Sequence, residues 1–347
     1  MKVAVRADGG INIGLGHIQR CLALSSQLQK NGLGILFITK RNEVVKKKIR
    51  RGGFKAVELE HNLNLEEDLE RTIEIIRTKK IDVLITDSYE FDEGYLTEIK
   101  KNVGMLISVD DLANITFPSD IVINQNIYAK DLEYHFLTGK TKFLLGPKYA
   151  LLREEFANLG KRKINEKVQN ILVTLGGSDP FNLTPNILNV LDRIKEDFNI
   201  TIVIGHFFDN VSGIENKVKK MSKKVKLIYN FSQMANLMLS SDLAITGGGV
   251  TLYELAATGT SALAFCLADN QYKNVTGMAE ASVMIDMGWG SKFDEENFYK
   301  KINELLKDYQ LRKKMSKSGQ KLVDGKGSWR VSKIIMKNIQ RRSRMRE

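Results

Sequence analysis

At 347 residues, 43% of them hydrophobic and 27% charged, the chain has the composition of a soluble globular protein and the length of two domains of about 150 residues each. No run approaches the roughly 18 apolar residues of a membrane helix, and two cysteines with four scattered histidines exclude a disulfide framework and a structural zinc site. The net charge of +12 is dispersed over clusters at residues 46–51, 161–163, 217–226 and 341–346. These lack interleaved aromatics, which excludes a nucleic-acid reader and leaves solvated faces with at most weak contact to an anionic membrane surface.

Residues 2–8 read as a short strand, and because Arg6 and Asp8 interrupt it no secretion signal is read and a cytoplasmic protein is expected. A glycine-rich loop follows at 9–16, then a helix with Ile18, Cys21, Leu22 and Leu28 on one face and Ser25 between them. His17 falls in the first helical turn, on the loop that leaves the carboxyl end of the first strand, where open α/β sheets bind ligands. The positive end of the helix dipole favours the neutral imidazole, which is suited to accept a proton. Gly14 and Gly16 let a ligand approach the backbone beside it. A lone histidine in that place more often caps or packs, so the motif is weak by itself.

Further strands are predicted at 34–39, 54–59, 81–87, 105–111 and 120–124, with helices from Asn42 and at 66–78, where Leu69, Ile73 and Ile76 keep helical spacing. This alternation predicts a parallel sheet covered on both faces. Three strands end in polar residues: Asp87 with Ser88 and Tyr89, then Asp110 and Asp111, then Asn124 with Asn126. Together with Arg6, Asp8 and His17 they are expected on one rim, as a polar pocket for a hydroxyl-rich ligand such as a sugar. Asp87, Asp110 and Asp111 are equal candidates for orienting His17.

The stretch 146–163 leads to a second domain that opens like the first, with a buried strand from Asn170 running into Gly176, Gly177, Ser178 and Asp179, then a helix from Asn182. Strands at 200–205 and 225–228 and a helix at 234–240 precede the strand 242–246, which runs into Gly247, Gly248, Gly249, Val250 and Thr251. That glycine loop is the strongest local signal, because backbone N–H groups at the start of the helix 252–258 accept phosphate oxygens. Glu254 is placed to accept from ribose hydroxyls; its plainer role is to complement the helix dipole. A strand at 261–268 ends at Asp269, Asn270 and Gln271, completing a nucleotide diphosphate site. Val331, Ile334, Ile335 and Ile339 mark an amphipathic terminal helix that packs on the protein body. The expected division is 1–150, 151–328 and a helix with basic tail at 329–347.

The set Arg6-x-Asp8, Gly14-x-Gly16-His17, Tyr149-x-Leu-Leu-Arg153, Gly176-Gly-Ser-Asp179, Gly247-Gly-Gly-Val-Thr-Leu-Tyr-Glu254 and Ala268-Asp-Asn-Gln271 resembles PseG, a family of UDP-sugar hydrolases of pseudaminic acid biosynthesis. The likeness runs from residue 1 to about 330. It implies an α/β fold of two Rossmann-like domains facing across a cleft, the GT-B arrangement, with a C-terminal half similar to the peptidoglycan transferase MurG. The reaction implied is release of UDP from UDP-2,4-diacetamido-2,4,6-trideoxy-β-L-altropyranose, with inversion and without metal or cofactor.

In that resemblance His17 matches the histidine that deprotonates the attacking water. Residues 247–251 hold the diphosphate and Glu254 the ribose, while Tyr89, Asn270 and Gln271 look like sugar or nucleotide contacts. Arg6, Asp8, Gly14, Gly16, Arg153, Gly176, Gly177 and Asp179 join the expected substrate-binding set. The alternative is a MurG-like UDP-sugar glycosyltransferase using His17 on an acceptor hydroxyl of a polysaccharide or lipid-linked acceptor. A third reading is a binding protein for nucleotide sugars without catalysis. The residues give no oligomeric state.

Overall fold

The computed structural model describes residues 1–10, 13–137 and 139–344. Ile11 and Asn12 of the glycine-rich loop, and Arg346 of the basic tail, lie outside the described residues. The chain divides into two compact units, Met1–Glu154 joined by the chain from Lys326 on, and Glu155–Gly325.

The N-terminal unit comprises β1 (Lys2–Ala7), α1 (Gly16–Lys30), β2 (Gly34–Lys40), α2 (Glu43–Arg51), β3 (Lys55–Leu59), α3 (Leu65–Lys79), β4 (Val83–Asp87), α4 (Glu93–Asn102), β5 (Met105–Val109), β6 (Thr116–Phe117), β7 (Ile121–Asn124), β8 (His135–Phe136) and β9 (Lys142–Leu145). Seven strands form a parallel sheet in the order β3-β2-β1-β4-β5-β7-β9, and β6 pairs with β8 apart from it. Along β1 the side chains alternate: Val3, Val5 and Ala7 join Ile18, Leu24 and Leu28 on one face. Ala4 joins Leu84, Leu106, Tyr95 and Ile99 on the other. Burial on both faces is why these strands read as nearly continuous apolar runs. The helices start where side chains satisfy their free N–H groups: Asn42 accepts from Val44 and Val45, Asn64 and Glu67 form a capping box, and Asp92 accepts from Tyr95.

The chain passes outward from β1 to β2 and β3, then returns to place β4 on the other flank of β1. Strand order therefore reverses between β1 and β4, the position at which open α/β sheets form ligand crevices. Register sets the strand ends level there, with Ala7 opposite Asp87, Asp87 opposite Val109 and Val109 opposite Ile123.

The second unit comprises β10 (Asn170–Thr174), α5 (Leu183–Arg193), β11 (Asn199–Ile204), α6 (Val211–Val218), β12 (Val225–Tyr229), α7 (Met234–Leu239), β13 (Leu243–Gly247), α8 (Thr251–Thr258), β14 (Ser261–Cys266), α9 (Tyr272–Glu280), β15 (Ile285–Trp289), α10 (Glu295–Lys307) and α11 (Tyr309–Leu322). Its parallel sheet has the order β12-β11-β10-β13-β14-β15, so the reversal lies between β10 and β13. Thr174 stands opposite Thr246 and Gly247 opposite Phe265.

The terminal helix α12 spans Gly327–Arg344, where the amphipathic spacing predicts a helix packed on the protein body. Its Val331, Ile335 and Ile339 are buried in the core that contains Ile18 and Leu28, so this apolar stripe makes α12 part of the N-terminal unit. Among the described residues no helix is long and apolar enough to cross a membrane.

Candidate active site

His17 is the second residue of α1, whose start has no side-chain cap, and Asp87 ends β4 beside it. The His17 Nδ1 lies 2.5 Å from Asp87 Oδ1. An ionised Asp87 accepts a hydrogen bond from an Nδ1–H, so the carboxylate sets the orientation of the ring. Arg20, one turn further along α1, grips the same carboxylate with two bonds, Nε to Oδ2 at 2.7 Å and Nη2 to Oδ1 at 2.6 Å. Its Nη1 donates to Asp111 Oδ1 at 2.8 Å. Asp111 in turn accepts from the Tyr89 hydroxyl at 2.7 Å and from Asn126 Nδ2 at 2.7 Å. Tyr89 meets the His17 ring edge-on, with centroids 4.7 Å apart.

The electrostatics follow from this geometry. Burial alone would favour the acid form of Asp87, but the Arg20 guanidinium and His17 outweigh it and hold the carboxyl far below the usual range. Asp111 is buried too, and Arg20 keeps it low in the same way. Asp110 goes the other way: burial raises it, against lowering bonds from the Ala113 N–H, the Tyr134 hydroxyl and the Leu112 N–H. The three equivalent candidates are thus separated. Asp87 touches the histidine, Asp111 reaches it through Arg20 and Tyr89, and Asp110 holds its own loop and Tyr134. Burial and the neighbouring Asp87 charge push the Cys21 thiol well above its usual range, which leaves it a packing residue.

Arg6 departs from its expected role. It is fully buried and donates to Asp8 at 2.7 Å and, through two nitrogens, to Asp68 of α3. Asp8 Oδ1 also accepts from the Lys40 N–H at 2.7 Å. A side chain enclosed in this way ties β1 to α3 and has no surface to offer a substrate. Gly14 takes φ of +73° and exchanges backbone bonds with Gly10, a conformation suited to glycine. Gly16 is the first residue of α1, and Arg153 lies just before the division between the units.

In the second unit the glycine loops meet at the reversal point. A Cβ on Gly247 would stand 3.0 Å from the Leu175 carbonyl and 2.6 Å from Leu267, and one on Gly248 would stand 2.6 Å from Val275. Close packing, not only ligand approach, demands these two glycines. Gly249 faces open space, and among the described residues the N–H groups of Gly249, Val250 and Thr251 have no acceptor. Gln271 Oε1 accepts from Gly248 at 2.9 Å and from Leu267 at 3.0 Å, so its carbonyl braces the loop. Asp179 likewise gives both carboxylate oxygens to the start of α5, accepting from the Leu183 and Thr184 N–H groups at 2.8 Å each. Gly176 has φ of +96°, and the Gly177 carbonyl accepts from Phe207. Glu254 is buried in the first turn of α8, and Asn270 is exposed on the loop after β14.

The residue that sequence reasoning missed is Arg20. Its signal was present: a cation three positions after His17 on the same face of a helix otherwise lined with apolar residues.

The comparisons bear on this geometry. The family described as Glycosyltransferase family 28 C-terminal domain matches residues 170–327. An uncharacterized protein of Methanocaldococcus jannaschii is 35% identical over 269 residues, 75% of this chain and 54% of that protein, so the chain spans about half the length of this relative. The spore coat polysaccharide biosynthesis protein SpsG of Bacillus subtilis is 29% identical over 96% of this chain and 98% of its own. The UDP-2,4-diacetamido-2,4,6-trideoxy-beta-L-altropyranose hydrolase of Campylobacter jejuni is 27% identical over 82% of this chain and 99% of its own. The chain resembles the PseG hydrolase, as its motifs implied. Among solved structures, MurG of Acinetobacter baumannii superposes with a TM-score of 0.72 at 15% identity, over 97% of this chain and 100% of that one. At that identity the likeness is one of fold: two α/β parallel-sheet domains of the glycosyltransferase kind. Two of these relatives carry names that state a role, one in polysaccharide biosynthesis and one as a UDP-sugar hydrolase.

Proposed function

We propose that the protein hydrolyses UDP-2,4-diacetamido-2,4,6-trideoxy-β-L-altropyranose to UDP and the free sugar. The observation that carries this reading is the buried His17–Asp87 pair at the strand-order reversal; Nε2 is assigned the acceptance of a proton. His17 Nε2 takes a proton from water as the water oxygen bonds to the anomeric carbon. The bond from that carbon to the diphosphate oxygen breaks with its electron pair, and a single displacement of this kind inverts the anomeric configuration. UDP leaves as a stabilised anion, so no acid and no metal is needed. The N–H groups of Gly249, Val250 and Thr251 are assigned to the diphosphate, where a helix N-terminus favours the charge that develops. Tyr89, anchored on Asp111, borders the base and is assigned to the sugar.

The test is an NMR time course of the protein with that sugar nucleotide, with and without EDTA, beside His17→Asn. Release of UDP and free sugar that resists EDTA and disappears in the variant is the expected result. Turnover that survives in His17→Asn would remove the histidine from the mechanism. The match of residues 170–327 to a glycosyltransferase C-terminal domain supports a second reading, transfer to a polysaccharide or lipid-linked hydroxyl deprotonated by His17. UDP release only when an acceptor is supplied would favour it.

A further inference from the structure

The cation that holds Asp87 ionised also stands beside the base. Arg20 Nη2 lies 3.2 Å from His17 Nδ1. Burial works against the charge of this guanidinium, but Asp111 and Asp87 outweigh it and keep Arg20 protonated. A fixed positive charge at that distance opposes a second one on the ring, so Arg20 resists the proton that His17 is to accept. Asp87 cancels the guanidinium once. Were it the sole carboxylate, a protonated His17 would leave the buried cluster with a net positive charge, which burial makes costly.

Asp111 supplies a second carboxylate. Arg20, Asp87, Asp111 and His17 are each 6% exposed or less, so water screens their charges little. Burial disfavours the ionised form of Asp111, and Arg20 outweighs it. Asp111 also accepts from the Tyr89 hydroxyl and the Asn126 amide at 2.7 Å each. Both donors are neutral, so they stabilise the carboxylate without cancelling its charge. Among the described residues the ring faces Asp87 at the end of β4, Tyr89 on the loop after it and Arg20 on α1, with Asp111 beyond Arg20. Cys21, 3.4 Å from Asp87 Oδ2, keeps its proton, and Asp110 turns to Leu112, Ala113 and Tyr134. One guanidinium thus meets two carboxylates, which leaves one negative charge while His17 is neutral and none once it is protonated. We propose that Asp111 is a positioning residue for the base, acting through Arg20 to supply the negative charge that a proton on His17 cancels. This inference rests on the base role proposed above for His17 and adds the group that balances it.

The experiment follows the proton by two readouts: the acid limb of the pH dependence of UDP release, and an NMR titration of the His17 ring in the full chain without substrate. Asp111→Asn removes the charge, while its amide oxygen still accepts from Arg20 and its NH2 group donates to the Tyr89 hydroxyl. Both the acid limb and the ring titration are expected to move to lower pH by about one pH unit, a proton held about tenfold less tightly, the low end of the effect of a nearby charge. Asp111→Ser replaces this variant should the amide not fold. The double variant Arg20→Gln with Asp111→Asn loses one charge of each sign and so regains the wild-type balance. Its ring titration is expected to return to the wild-type pH or above it, a repair that damaged packing alone would not show. The proposal is overturned if the ring titration is unmoved by loss of the Asp111 charge, or if it stays low in the double variant. A wild type that releases no UDP, with the ring titrations moving as expected, would remove the hydrolase reading and leave the charge balance standing.

Discussion

Asp87 is the residue on which the site turns, because it orients His17 while Arg20 keeps it ionised. Asp87→Asn preserves the shape and removes the charge. It is expected to lower kcat by roughly 10²- to 10⁴-fold, as replacing the orienting carboxylate of a His–Asp pair does, with KM little changed. Steady-state kinetics checks this, and a fall confined to kcat/KM through KM would make Asp87 a binding residue instead. The same carboxylates shape acid stability. Asp87, Asp111 and Asp8 are held below their ordinary 3.8 in the folded chain. Their contribution is therefore whole above that value and is lost as the pH falls below it. Asp110, raised by burial, works in the opposite sense. Urea denaturation between about pH 5 and pH 2 is expected to show a steep loss of stability in the wild type. Asp87→Asn should flatten that slope, whatever it does to stability at neutral pH.

At the scale of elements, the loop between β13 and α8 contains glycines with different duties. Gly248 has no room for a methyl group, whereas Gly249 has open space around its Cβ position. Gly248→Ala should lower the melting temperature, since overpacking a tight site costs about 1 to 3 kcal/mol. Gly249→Ala should leave the melting temperature near that of the wild type and weaken UDP, because the added methyl would crowd the N–H groups that the proposal assigns to the diphosphate. Thermal melts with and without UDP separate the two effects. Equal UDP affinity in Gly249→Ala and wild type would argue against a diphosphate at this helix start.

For the molecule as a whole, the chain leaves the N-terminal unit once and returns to it through α12. Val331, Ile335 and Ile339 complete the core that underlies α1, and α1 carries His17 and Arg20. A chain ended at Gly325 is expected to lose about 5 kcal/mol or more from the N-terminal unit, at roughly 1.5 to 3 kcal/mol for each large apolar side chain withdrawn. The second unit should be spared. Limited proteolysis would then cleave within residues 1–154 first, while residues 155–325 resist; simultaneous loss of both units would show that they unfold as one.

Periodicity and glycine placement in the sequence determined the alternating strands and helices, the glycine loops and the place of His17 at a strand-to-helix turn. These are local properties, set by spacing along a few residues. The family likeness, too, was carried by short motifs. What only the tertiary structure decided were the pairings across distance. Asp87 was separated from Asp110 and Asp111 by strand register and by the reach of Arg20. Arg6 turned inward because the second face of β1 meets Asp68 of α3, sixty-two residues away in the chain. The oxygens of Asp179 and Gln271, both in the motifs of the family likeness, meet helix and loop N–H groups. A charged residue in a sequence states what it can bind; packing around it determines which partner it meets.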